Sequence, residues 1–222
     1  MYKVGHVNLN DDDHLLSPIL SNFHPTIFCL SCLAIDASYL AWNTLNASLT
    51  SAFIHLMSLP TINHIDLSNI GEFPLSSLTS SVNLLRLDIS NVRPFHYHGK
   101  DNFFKTVQSE RMPKIRELHT SESYLVTIKW SDTEGQDGRP VFNLMDLRQL
   151  SMSFIHLEEE WSIKHLLQKA KLLERLHLSV GSGTGLSLVR VLSTSTVADN
   201  QRQQICNSLI SRSKHNKLAR FL

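Results

Sequence analysis

The sequence predicts an α/β fold: a solenoid of repeats, with a curved parallel sheet on its concave side and helices and loops on its convex side. Three observations carry that prediction. A frame of the form apolar-x-x-apolar-x-apolar recurs seven times. The residues alternating with the apolar ones are nearly all polar. The segments between frames are long enough to return the chain to the same edge of a sheet, and several have helical spacing. The chain has 222 residues and is 42% hydrophobic, enough for one sizeable core and too apolar for wholesale disorder. Its formal charge of +1 argues against a nucleic-acid binder that works by bulk electrostatics.

The frames fall at Val4/Val7/Leu9, Leu30/Leu33/Ile35, Ile62/Ile65/Leu67, Leu84/Leu87/Ile89, Ile115/Leu118/Thr120, Leu147/Leu150/Met152 and Leu173/Leu176/Leu178. Central positions 7, 33, 65, 87, 118, 150 and 176 are 26, 32, 22, 31, 32 and 26 residues apart. Those spacings lie within or slightly above the ~20–29 residue period of leucine-rich repeats, so the array is leucine-rich-repeat-like. The last part of each frame has period 2, which makes it a short strand with one buried face. One repeat buries too little to offset the entropy of ordering itself, so each depends on its neighbours.

The crossovers come next. Trp42, Leu45, Leu49, Phe53 and Leu56 recur every three or four residues, with Asp36 or Ser38 available as a cap. Trp161, Leu166, Leu167 and Ala170 do the same after Glu158-Glu159-Glu160, whose charges suit a helix N-terminus. Pro74-Leu75-Ser76-Ser77-Leu78 has room for one or two turns. Tyr124-Leu125-Val126-Thr127-Ile128-Lys129-Trp130 alternates like an extra strand, followed by a polar loop from Ser131 to Pro140. The frame stops after Val180. The expected division is a repeat domain over 1–192 and a basic C-terminal tail over 193–222. Residues 201–222 carry five Lys or Arg and no acid. That tail reads as a solvated end, with weak nucleic-acid contact as an alternative.

The register also predicts a surface. Side chains between the apolar ones point to the opposite, concave face: His6/Asn8/Asn10, Cys32/Ala34/Asp36, His64/Asp66/Ser68, Arg86/Asp88/Ser90, Glu117/His119/Ser121, Gln149/Ser151/Ser153 and Arg175/His177/Ser179. Only Cys32 and Ala34 among them are not clearly polar, a complement that chance alignment would not produce. Asp66 and Asp88 stack in one column, with His64 and Arg86 diagonal to them, and like charges side by side cost stability unless something answers them. Solvated faces are how solenoids bind partners. The expected contact residues are His64, Asp66, Arg86, Asp88, Glu117, His119, Arg175 and His177.

No motif for catalysis or for a cofactor rises above these features. Cys29-Leu30-Ser31-Cys32 is a lone CxxC with no second pair for zinc, and Cys32 falls on a predicted strand. Gly181-Ser182-Gly183-Thr184-Gly185 lacks the spacing and the Lys of a phosphate-binding loop. His96-Tyr97-His98 has no further ligand at metal spacing. Asp88 and His119 share a polar sheet face without a nucleophile elbow. The expectation is a non-enzyme without cofactor or metal. Three cysteines and an N-terminus without an apolar leader make the cytoplasm or nucleus the expected compartment. Residues 37–65 carry no Asp, Glu, Lys or Arg, but their Asn, His, Pro, Ser and Thr argue against a membrane span.

One run carries a resemblance. Leu59-Pro60-Thr61-Ile62-x-x-Ile65-x-Leu67, then Phe73-Pro74-Leu75, then Asn83-Leu84-x-x-Leu87-x-Ile89, with Trp42, Leu45 and Leu49 ahead, resembles the repeat region of fungal, mushroom-type F-box/leucine-rich-repeat proteins. The likeness implies repeats that hold a target protein while an F-box binds the Skp1-type adaptor of a ubiquitin ligase. No F-box-like segment with a Leu-Pro opening precedes Val4, so the target-binding half of that role is what the likeness implies for this chain. A remnant of a longer F-box/repeat protein, without independent function, is the alternative.

Overall fold

The computed structural model describes residues 3–8, 30–37, 40–93, 113–123, 127, 130–131, 144–154, 166–180 and 190–193. Eight strands form one sheet in chain order: β1 (Lys3–Asn8), β2 (Leu30–Asp36), β3 (His64–Ser68), β4 (Arg86–Ser90), β5 (Glu117–Ser121), β6 (Gln149–Phe154), β7 (Arg175–Val180) and β8 (Arg190–Ser193). Strands β1 to β7 run parallel to one another, and β8 runs antiparallel to β7. The class is α/β. Parallel neighbours need a crossover between them, which is why each strand is separated from the next by a long connection.

The frames set the pairing from β2 onward. Leu33, Ile65, Leu87, Leu118, Leu150 and Leu176 lie opposite one another in sequence, and Ile35, Leu67, Ile89, Thr120, Met152 and Leu178 form the next column. The leading frame residues Leu30, Ile62, Leu84, Ile115, Leu147 and Leu173 are buried as well. A one-residue slip would send every one of these side chains to the wrong face, so the register is strongly specified.

Three expectations are corrected. The first frame is displaced: Val7 pairs with Ile35 rather than Leu33, and Val4 with Cys32, after an irregularity between Lys3 and Val4. The displacement is two residues, so the alternation is kept while the alignment moves. Beyond the last frame the sheet gains one more strand, β8, which runs antiparallel to β7 and pairs Leu192 with Leu176. The first helical crossover is split. Trp42–Thr44 is a 3-10 turn, and helix α1 (Ala47–Met57) starts only after Asn46, whose side-chain oxygen accepts from the backbone N–H of Leu49 at 2.8 Å. Asn46 is thus the cap, in place of Asp36 or Ser38. Finally, the stretch read as an extra strand is helical at Thr127 and Trp130. Ser123, Thr127, Trp130 and Ser131 are all buried, a spacing of four, seven and eight that places them on one side of a helix. The Thr127 N–H and hydroxyl both donate to the Ser123 carbonyl at 3.3 Å.

Behind the sheet, α1 buries Leu49, Ala52, Phe53, Leu56 and Met57, a single face. Its terminal carbonyl at Met57 accepts the Ser81 hydroxyl at 2.8 Å, which ties the helix to the 3-10 helix Leu75–Ser80. Trp42 meets Phe73 edge-on, with centroids 4.8 Å apart. Phe53 and Trp130 extend this into a cluster of rings under β3 and β4. Residues 166–169 are helical and bury Leu166 and Leu167. The CxxC residue Cys29, His96-Tyr97-His98, Gly181 to Gly185 and the 194–222 part of the tail lie outside the described residues.

Candidate functional site

The face opposite the core is built by alternation. On β2 to β7 the described residues that alternate with the buried ones turn away from the core, and the pairing aligns them across the sheet in columns. The first column runs Cys32, His64, Arg86, Glu117, Gln149, Arg175. The second runs Ala34, Asp66, Asp88, His119, Ser151, His177. The third runs Asp36, Ser68, Ser90, Ser121, Ser153, Ser179. All eight expected contact residues therefore occupy two adjacent columns between β3 and β7.

Asp88 is the hub. Arg86, two residues earlier on the same strand, donates from Nε to Oδ1 at 3.0 Å and from Nη2 to Oδ2 at 2.9 Å, a two-pronged contact that suits a planar guanidinium. The His64 ring reaches across from β3 and donates from Nε2 to Oδ2 at 3.0 Å. Burial alone would raise the Asp88 carboxyl, but the hydrogen bonds from His64 and Arg86, helped by the charges of His119 and His64, hold it down at about 2. Arg86 also faces Glu117 across the rung, with Nη1 3.9 Å from Oε2. The like-charge stack of Asp66 and Asp88 is thus answered on the Asp88 side.

The histidines differ from one another. His64 is committed to Asp88. On β5, His119 is half-buried, and burial pushes its pKa down, with Asp88 and Glu117 opposing and Arg86 and His64 assisting. Neutral at Nε2, it accepts from the Gln149 amide at 3.4 Å. His177 lies 3.1 Å, Nδ1 to Oγ, from Ser151. Arg175 is exposed and forms no ion pair among the described residues. The Cys32 thiol is pushed up by burial and by the carboxylates of Asp66 and Asp88, with Arg86 opposing. It stays protonated near neutral pH, the opposite of what a nucleophile or metal ligand needs. Among the described residues no group of three or more His, Cys, Asp or Glu is placed to hold a metal ion. Among them, too, no helix is long and apolar enough to cross a membrane.

Sequence reasoning overlooked a row of side-chain amides at the strand ends. Asn69 and Asn91, each following the last Ser of its strand, have φ of 53° and 51°. Asn91 donates from Nδ2 to Asn69 Oδ1 at 3.0 Å, and Asn69 donates from Nδ2 to Asp36 Oδ1 at 3.1 Å. The signal was present in the repeated Ser68-Asn69 and Ser90-Asn91 pairs, since Asn is the side chain that best tolerates the left-handed region. Gln149 and Ser151, the partners of two histidines, were placed on the face but not among its contact residues.

Comparison of the chain with protein-family models and with curated proteins finds no match.

Proposed function

We propose that this chain is a non-catalytic protein-interaction module, a leucine-rich-repeat-like solenoid that binds a protein partner on the polar, concave face of its sheet. The observation that supports this reading is the register: Asp66, Arg86, Asp88, Glu117, His119, Arg175 and His177 share one face through four consecutive parallel pairings. The internal network divides their roles. His64 and Asp88 shape the surface, while the more open Glu117 and the exposed Arg175 meet the partner's charges. Such mixed charge gives orientation and on-rate more than raw affinity.

The test is partner capture with the full chain, comparing parent, a Glu117→Arg/Arg175→Glu double variant, and Ser48→Glu on the exposed side of α1. Loss of a partner only in the double variant supports the face. A partner set shared by all three overturns it. The narrower reading, the substrate-recognition part of a ubiquitin-ligase adaptor, requires an F-box elsewhere in the full gene product. Co-purification of a Skp1-type adaptor with that product tests it, and its absence sinks the ligase role while leaving the interaction module standing.

A further inference from the structure

A second surface lies on the rim from which the strands start. Just before β5, β6 and β7 one carbonyl of the preceding rung accepts two successive N–H groups. Leu85 O takes those of Arg116 and Glu117, at 2.8 and 3.0 Å. Arg116 O takes Arg148 and Gln149 at 2.8 and 2.9 Å, and Arg148 O takes Glu174 and Arg175 at 2.8 and 2.9 Å. Leu85, Arg116, Arg148 and Glu174 therefore stand in one column at the rung spacing of ~4.8 Å. Simple alternation would turn these side chains into the core, yet all four are exposed.

Beside that column the turn tips carry large apolar residues. Val82, Met145 and Leu172 are 57%, 55% and 53% exposed. A single exposed apolar side chain is ordinary, but here they recur along one rim, with Met145 and Leu172 leading into the neighbouring strands β6 and β7 and Val82 leading into β4. The charge around them is mainly positive. Arg116 stands next to Arg148 in the column, so positive charges occupy neighbouring rungs there. Neither Lys114 nor Arg116 has an ion pair among the described residues. Arg148 already shows the answering chemistry, since Glu174 of the next rung pairs with its guanidinium.

We infer that this rim, between β4 and β7, docks an acidic, apolar-bearing segment of a protein partner. Its carboxylates meet Lys114 and Arg116, and its hydrophobic side chains cover Val82, Met145 and Leu172. Charge complementarity selects this occupant. A peptide can set its carboxylates at Lys114 and Arg116 alone, whereas an anionic bilayer presents negative charge uniformly and so also faces the carboxylates of Asp146 and Glu174 on the same rim. The surface is separate from the polar sheet face and does not depend on the reading given for it.

The full chain is panned against a short random-sequence peptide library, and the enriched peptides are titrated onto parent and variants. Peptides that interleave Asp or Glu with apolar residues are expected, with binding weakened about tenfold or more by Arg116→Glu and by Met145→Ser. Leu172→Ser carries the apolar arm if Met145→Ser melts early, and Ser48→Glu on the exposed side of α1 leaves peptide binding unchanged. The inference is overturned by a selection that enriches nothing or enriches basic or uncharged peptides. It is equally overturned by acidic peptides that ignore both rim substitutions, or by phosphatidylserine vesicles that sediment the chain through these same residues while no peptide binds.

Discussion

At the scale of single residues, burial and charge decide the outcomes. Asp88 has a folded-state value of about 2 against an ordinary 3.8, so its ionised form is favoured by folding. That contribution, about 2 kcal/mol, is fully present above roughly pH 4 and fades as pH falls towards 2. Asp88→Asn should therefore lower stability by about that amount at neutral pH, and its urea midpoint should vary less than the parent's between pH 4 and 2. His119 acts with the same sign at a higher pH. Its depressed pKa means the unfolded chain takes up the proton first, so stability declines as pH drops through its ordinary value of 6.5. Thermal melting from pH 7.5 to 5.5 should show a decline that His119→Gln reduces. Thr120 is the opposite case. It takes the place of Ile or Leu in a core column, and its hydroxyl is buried without a hydrogen-bond partner. Thr120→Val keeps the shape and removes the orphaned group, so it should stabilise by about 1 kcal/mol, a rise of a few degrees in Tm.

At the scale of elements, the strand ends follow a common plan. Asn69, Asn91 and Glu122 each follow the final Ser of their strand, and all have φ between 51° and 53°. Glu is poorly suited to that region, while Asn tolerates it. Glu122→Asn should relieve the strain, lengthen the amide row by a donor facing Asn91, and raise the denaturation midpoint by the equivalent of about 1 kcal/mol. Strand interiors are less forgiving. Leu87→Asp buries a charge in the middle of the array and should cost about 4 kcal/mol or more, whereas Ser90→Ala should stay within about 0.5 kcal/mol. Equal losses in chemical denaturation would contradict the register. These strands were legible in the sequence because a two-residue period with a polar complement fixes which side chains face the core, and the one or two turns near Pro74 followed from the shortness of the connection. The segment around Trp130 was not, because seven alternating residues conceal a helical face that only Ser123 and Ser131, small polar residues without a hydrophobic signature, complete. The cap at Asn46 was missed for a related reason. Trp42 fits the helical spacing from outside the helix.

At the scale of the whole molecule, every strand pairs only with its neighbours in sequence. Stability then accumulates from adjacent interfaces, and the middle of the array is buttressed from both sides. Amide hydrogen exchange should be slowest in β3 to β5, over the cluster of Trp42, Phe53 and Phe73, and faster in β1. Uniform protection would show a single cooperative block instead. The polar face was legible at this scale as well, since any side chain alternating with a core residue must share it. Its internal wiring was not, because the reach of Arg86 to Asp88 or of Gln149 to His119 depends on rotamers that no spacing encodes. The displacement of the first frame escaped for the same kind of reason: a shift of two leaves the alternation intact.

The change of direction between β7 and β8 has a consequence for self-association. A stack of like-oriented strands offers the same evenly spaced donors and acceptors at either border, an invitation to endless head-to-tail growth. Strand β8 runs against β1, so a second copy adding its β1 beside β8 in the same orientation would form an antiparallel ladder, with hydrogen bonds in alternating close and wide pairs. Such a joint between copies would differ in its hydrogen bonding from the six parallel pairings between β1 and β7 within a copy.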